Sequence, residues 1–246
     1  EPGTAYDALL RHFGVQSLDG FGSEGHPAII GAAGGVLHYV KNTLRRGLEH
    51  VRQLRVRSPA DFLVMDEATR LNLDLVTPRG LPRTSAEGGA QSVGAATTLL
   101  GVLDGTRTAM GGRLLREWIL RPLARLEDIR CRHDAVEMLT RQRALLRSLQ
   151  EKLAGVRDLE RCIARLGAGS GNARDLRALG LSLAQLPALR EILAPLPADP
   201  AAALLAGLAR SVTPLPELVE LIGRALVEEP PVPVMEGGLI RRGYHA

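Results

Sequence analysis

The chain has 246 residues, with 31 basic and 27 acidic side chains for a formal charge of +4, and only 3% of its residues are aromatic. That length suits one large or two small domains with a sizeable core, and so few aromatic rings exclude a stacking platform for single-stranded nucleic acid while favouring helices packed by leucine and alanine. No run of about 18 uncharged apolar residues occurs and the N-terminus lacks a signal-peptide pattern, so a soluble intracellular protein is expected, with no membrane contact.

In chain order, Leu9-Leu10-Arg11-His12-Phe13-Gly14-Val15 reads as a short helix ending at glycine, and Ser17-Leu18-Asp19-Gly20-Phe21-Gly22 as a turn. An apolar run with alanine and glycine makes Ser23 to Glu49 a helix candidate. Asp61-Phe62-Leu63-Val64-Met65-Asp66 predicts a short strand or extended run, after which Asp66 caps a helix reaching Asn72. Pro78 to Thr97, with its glycines, prolines and serines, reads as a loop.

The next segment, Leu103 to Leu123, is the densest in signals. Thr106 and Thr108 sit in a turn, and Gly111-Gly112 supplies permissive backbone before a helix, which makes Gly111 a candidate for an angle only glycine tolerates. Leu114, Leu115, Trp118 and Ile119 recur at helical spacing on one face. Arg113, Arg116, Glu117 and Arg121 lie largely on the other, and Pro122 stops the helix. Such a stripe predicts a packed helix with Trp118 as its buried anchor. A further helix runs from about Glu127 to Thr140, with Ile129, Val136 and Leu139 on one side and a partly buried, hydrogen-bonded His133 close by.

Asn172 followed by Asp175 marks a helix start, and Leu176, Leu179, Leu183 and Leu186 line one face before Pro187 interrupts it. Helices are then expected over Ala201 to Arg210 and Leu215 to Val227. Pro230-Pro231-Val232-Pro233 cannot be regular helix. The architecture expected is mainly α, a helical bundle.

Charge is uneven: residues 51–190 carry 23 basic and 15 acidic side chains, whereas residues 191–246 carry 4 and 7. Of the 31 basic residues 29 are arginine, which suits phosphate contact and carboxylate pairing alike. Most of these arginines belong to solvated helix faces.

Chemistry-bearing constellations are scarce. Cys131 and Cys162 are too few for a disulfide framework and are read as reduced packing residues. A metal site from Cys131, His133 and Cys162 would lack a ligand, so zinc is not implied. Asp104, His133 and Asp134 could be acid–base groups, but no nucleophile or metal partner stands beside them. Serines 92, 170 and 211 sit in no Gly-x-Ser-x-Gly elbow. Lys41 and Lys152 follow Val40 and Glu151, so neither ends a phosphate-binding loop, and Gly101 to Gly105 with Thr106-Arg107 lacks the lysine. No catalytic, cofactor-binding or metal residue is assigned, and the chain is not expected to be an enzyme by itself.

Three blocks in order carry a resemblance. Asp104-Gly105-Thr106-Arg107-Thr108-Ala109-Met110-Gly111-Gly112-Arg113-Leu114-Leu115-Arg116-Glu117-Trp118 is followed by Ile129, Arg132, His133, Asp134, Ala135, Val136 and Leu139, and then by Asp158-Leu159-Glu160-Arg161-Cys162-Ile163-Ala164-Arg165-Leu166. Together they resemble the core domain of the MutS family of DNA mismatch-repair proteins. Ala68, Thr69, Arg70, Asn72 and Leu73 match the family's start of that domain, and Pro78–Thr97 exceeds its usual connection. Phe13-Gly14-Val15 to Phe21-Gly22 resembles the end of the bacterial family's α/β connector domain. Glu236-Gly237-Gly238-Leu239-Ile240-Arg241-Arg242-Gly243-Tyr244 matches the lead into its long lever helices and clamp.

The resemblance implies a division into the end of the connector and a joining helix over 1–50, a helical core domain over 51–236 and the start of a lever and clamp segment over 237–246. It implies a piece of a longer protein, whose ATP and magnesium belong to an ATPase domain elsewhere. The family's mismatch reader, an aromatic residue two before a glutamate, has no counterpart, since Phe13, Phe21 and Phe62 are followed two residues later by Val15, Ser23 and Val64. The function implied is mechanical: coupling ATPase state to DNA clamping in mismatch repair. The implied partners are mismatched duplex DNA, a second copy of the chain and a MutL-type repair protein, in a cytoplasmic, nucleoid-associated setting. An alternative reading from the residues is an autonomous helical DNA-binding module using the arginines between Arg107 and Arg147, whose affinity would fall steeply with salt.

Overall fold

Caps and turn glycines set the element order. The computed structural model describes residues 2–45, 47–49, 51–56, 59–78, 97–196, 202–231 and 237–244, and the chain divides into two units, Glu1–Asp61 and Phe62–Ala246. The expected Pro78–Thr97 loop lies almost wholly outside the described residues. Backbone pairs link its two ends: Leu99 N–H donates to Asp74 O at 3.0 Å and Leu100 N–H to Leu75 O at 2.9 Å.

In the first unit, helix α1 (Pro2–Phe13) ends at Gly14, whose φ of +66° is the left-handed angle that a C-terminal glycine supplies. Helix α2 (Pro27–His38) starts on a proline and continues into a π-helical turn, Tyr39–Thr43, so the regular helix is shorter than the Ser23–Glu49 run. Ser23 to His26 form turns, because Glu24 is bound elsewhere: its carboxylate accepts from Leu18 N–H at 2.9 Å and from the Tyr6 hydroxyl at 3.0 Å. Leu9, Leu18, Ile30, Leu37 and Leu48 form the core. Helices α1 and α2 pack closely at Gly34, where an added Cβ would sit 2.5 Å from Ala5 Cβ. Among the described residues this unit holds helices and turns and no strand.

The second unit starts with Phe62, which forms an antiparallel bridge with Leu123, while Leu63 N–H donates to Pro122 O at 2.8 Å. The short strand or extended run expected over Asp61–Asp66 is an extended run with one bridge. Asp66 caps α3 (Glu67–Asn72) by accepting from Thr69 N–H at 2.7 Å, and hydrogen bonding from the Thr69 side chain and then from its backbone lowers the Asp66 carboxyl from its ordinary value. Thr98 caps α4 (Leu99–Leu103) in the same way.

Helices α5 (Ala109–Leu120), α6 (Leu126–Arg141), α7 (Arg143–Ala154), α8 (Leu159–Gly167), α9 (Ala173–Leu183), α10 (Leu186–Leu193), α11 (Ala203–Ser211) and α12 (Pro216–Ala225) follow. Neighbours α6 and α7 pack together, as do α8 with α9, α9 with α12, α7 with α10, and α10 and α6 with α11. Asn172 and Asp175 form a reciprocal capping box at α9, and Pro187 lies in the first turn of α10, as expected for a break between the two. Along α8 Cys162 is buried and Leu159 and Leu166 are half-buried, α8 packs on α9, and Gly180 of α9 admits Ile222 of α12. After α12, Leu226 bridges Ile240 in antiparallel fashion and Arg241 donates from Nε to Leu226 O at 2.7 Å.

In α6 the buried stripe is displaced from the one the sequence predicts. Ala135 is buried and Ile129, Arg132, Met138 and Leu139 are half-buried, whereas Val136 is 60% exposed and His133 is exposed. Val136 and His133 lie on neighbouring positions of the wheel and both are exposed, so the imidazole is a surface group.

Glycine substitutions separate close approach from helix propensity. Gly34→Ala must push α1 from α2 and should destabilise by about 1–3 kcal/mol, whereas Gly35→Ala, with open space around its Cβ, should stabilise by roughly 0.5–1 kcal/mol. Urea midpoints of the two variants check the difference in sign. In the second unit, Gly180→Ala sets a Cβ 2.8 Å from Ile222 Cγ2 and should lower the midpoint similarly.

Candidate functional site

The Leu103–Leu123 segment begins as a self-bonded turn. Thr106 donates to Asp104 Oδ1 from its backbone N–H at 3.0 Å and from its hydroxyl at 2.6 Å. Thr108 is the N-cap of α5, its hydroxyl accepting from Gly111 N–H at 2.9 Å. The two glycines therefore lie in the first turn of the helix rather than before it, and neither has a positive φ. Space is what Gly111 answers: an added Cβ would stand 3.0 Å from the capping hydroxyl of Thr108.

Helix α5 has no buried residue. Leu115 and Ile119 are half-buried, while Leu114 is 48% and Trp118 40% exposed, so the expectation of a buried anchor is corrected. One face of the indole is covered by charge instead: the guanidinium carbon of Arg132, from α6, lies 3.7 Å from the ring centroid. The same partial burial lowers the Arg132 guanidinium from its ordinary value, and Asp128 opposes that effect.

The other tether is Arg113, on the face of α5 that the sequence reading gave to solvent. Its Nη1 and Nη2 each donate to Asp158 at 2.7 Å in a bidentate fork, and Nη2 also reaches Glu160 Oε2 at 2.6 Å. Asp158 is itself the N-cap of α8, accepting from Arg161 N–H at 3.3 Å, and Arg161 Nε stands 3.5 Å from its other oxygen. Hydrogen bonding from Arg113 holds the Asp158 carboxyl down at about 2 against the opposing effect of burial, while Asp158 and then Glu160 raise the Arg113 guanidinium. One residue earlier, Arg157 N–H donates to the buried Ser182 hydroxyl of α9 at 2.9 Å, and Ser182 in turn donates to Ala178 O at 2.7 Å. Two consecutive residues thus join α5, α8 and α9.

The remaining expected residues do not converge. Asp104 is engaged by Thr106, whereas His133 and Asp134 are exposed on α6. Cys131 and Cys162 are free, the Cys162 thiol is raised by burial and by nearby Asp175 and Asp158, and no metal-holding group of His, Cys, Asp or Glu occurs among the described residues. Lys41 lies in the π-helical turn and Lys152 in the last turn of α7. Neither stands at a loop leading into a helix, so these residues do not fit nucleoside triphosphate with magnesium. In the Arg107–Arg147 stretch, Arg113, Arg121, Arg125 and Arg141 are drawn into ion pairs with carboxylates and Arg132 covers Trp118, which divides the basic surface.

The Arg113 fork was missed because helical periodicity assigns faces, not partners; the only available signal was that Arg113 and Asp158 stand in two of the three blocks. Two outcomes follow for the tethers. Trp118→Ala should cost about 1–2 kcal/mol, less than the 3–5 kcal/mol of a buried aromatic, and thermal denaturation monitored by circular dichroism measures it. The Asp158 carboxylate is favoured in the folded state, so its stabilisation is complete above the ordinary aspartate value near 3.9 and fades as pH falls through about 2. Acid unfolding between pH 5 and about 2 should therefore be shallower in Asp158→Asn than in the unaltered chain.

Comparison with known families matches residues 68–242 to the one described as MutS domain III and residues 1–100 to MutS domain II. Among curated proteins the chain is similar to DNA mismatch repair protein MutS of Myxococcus xanthus, 44% identical over the whole chain and 26% of that relative. The proteins of the same name from Halothermothrix orenii and Symbiobacterium thermophilum are 42% and 41% identical, each over 98% of the chain and 25% and 26% of their own lengths. The chain spans about a quarter of the length of the curated relatives it matches. With a family match that runs from α3 through the bridge following α12 and takes in the Arg113, Asp158 and Ser182 junction, the chain belongs to the MutS family of DNA mismatch-repair proteins.

Proposed function

We propose that the chain is the connector and core part of a mismatch-recognition protein and that its work is mechanical. It transmits nucleotide state, set in an ATPase domain that binds ATP and magnesium elsewhere in the longer protein, to the parts that clamp mismatched duplex DNA. The observation that carries this reading is the junction at Arg157 and Asp158, which ties three helices by directional bonds at the heart of the domain III match. Directional, charge-assisted bonds change abruptly with a displacement of about 1 Å, as an element relaying position requires. The partners this role calls for are a second copy of the protein and a MutL-type repair protein, in the bacterial cytoplasm at the nucleoid. None of the described helices is long and apolar enough to cross a membrane.

The test uses the full-length protein carrying Arg113→Gln. Binding to a mismatched duplex without nucleotide should persist, while ATP-driven release from that duplex slows by about tenfold, equivalent to a barrier raised by about 1.4 kcal/mol. Release kinetics identical to the unaltered protein would remove Arg113 from the coupling route.

A further inference from the structure

Helices α5 and α7, twelve residues each, have no buried residue, whereas α6, α8, α9, α10, α11 and α12 each bury at least one. Apolar burial, the usual source of helix docking, is thus weak here. Leu114 and Trp118 on the stripe of α5 are 48% and 40% exposed. The helix is held at its two ends and by two guanidinium contacts: the Thr108 cap in front, the Phe62–Leu123 bridge behind, Arg113 across to Asp158 and Glu160, and Arg132 across Trp118. Arg113 is 40% and Glu160 69% exposed, so water and salt reach this ion cluster. An isolated twelve-residue helix is marginal in water, and once the guanidinium contacts are broken only half-buried side chains such as Leu115 and Ile119 hold α5 against the bundle.

We propose that α5 is a separately opening element of the second unit, latched to α8 by the Arg113–Asp158–Glu160 ion cluster, and that it undocks without unfolding α8, α9 and α12. The inference does not depend on the function proposed above, because it concerns local opening in this chain alone. Its physical basis is the contrast between neighbours. Gly180 of α9 admits the buried Ile222 of α12, an apolar contact that salt does not screen, and the Arg165–Asp175 pair between α8 and α9 has its carboxylate only 14% exposed, so it is screened less than the latch. The latch on α5 is partly exposed and electrostatic, so salt weakens it. Asparagine remains a good N-cap, so Asp158→Asn keeps the start of α8 while withdrawing the charge that Arg113 grips.

Amide hydrogen exchange of the chain, resolved by peptide and read where exchange reports opening equilibria, tests this. Peptides over 113–121 should exchange faster than those over 173–183 and 216–225. Raising sodium chloride from about 0.05 to 1 M should speed α5 exchange by roughly threefold to tenfold and leave α9 and α12 unaltered, the range that partly exposed ion pairs support. Arg113→Gln and Asp158→Asn should reproduce that acceleration at low salt and abolish most of the salt response. Exchange of α5 in step with α9 and α12 under all these conditions would overturn the proposal, as would a salt response that survives both substitutions. Should Arg113→Gln fail to fold, the salt series of the unaltered chain and of Asp158→Asn yields the same decision.

Discussion

The connection between α7 and α8 is the point on which the second unit depends. Four residues, Gly155, Val156, Arg157 and Asp158, turn the chain between two helices, and the last three are each held in place. Val156 is buried, the Arg157 N–H is taken by Ser182 of α9, and Asp158 is shared between the first turn of α8 and Arg113 of α5. Backbone groups in such a turn have no helical partner and must find another. Ser182, fully buried, answers one of these needs by accepting from Arg157 while donating within its own helix, so its hydroxyl is satisfied on both sides.

Around that connection the bundle uses two kinds of adhesion. Helices α9 and α12 approach closely because Gly180 faces Ile222, and close approach gathers many weak dispersion contacts into one seam. Helix α5 is attached by guanidinium groups, one forked onto carboxylates and one stacked on an indole. Seams of the first kind are indifferent to salt and hold their geometry. Attachments of the second kind are directional and screened by ions. Having both in one unit gives it a closely packed part and a part whose position is set by charge.

The first unit is organised differently, by a leucine and isoleucine core closed over a polar turn. Glu24 holds that turn through the Leu18 N–H and the Tyr6 hydroxyl, and His12 reaches Val51 O at 2.8 Å from its Nε2. Phe13 and Phe21, with ring centroids 4.8 Å apart, lie at its edge, so the scarce aromatic residues that mark this segment in the sequence are packing groups. The contact of Gly34 with Ala5 accounts for glycine at that position of α2, where a bulkier residue would hold the two helices apart.

Much of this was legible in the residues. The helical class, the Asp66 cap, the Asn172–Asp175 capping box, the stop at Pro122 and the break at Pro187 are local events, decided by side chains within about four positions of the backbone they serve. The family blocks were legible for the same reason, as linear patterns. Which part of an apolar stripe is covered was not, because Leu114, Trp118 and Val136 have the right period yet lie on the uncovered side of it. Nor could periodicity foretell that Arg113 meets a carboxylate 45 residues away, or that Ser182 receives the N–H of Arg157 from 25 residues before it. Such pairs exist only after helices of given length and turns of given angle have brought distant positions together. Local order was therefore written along the chain, whereas burial and charge pairing arose from how the helices came to lie against one another.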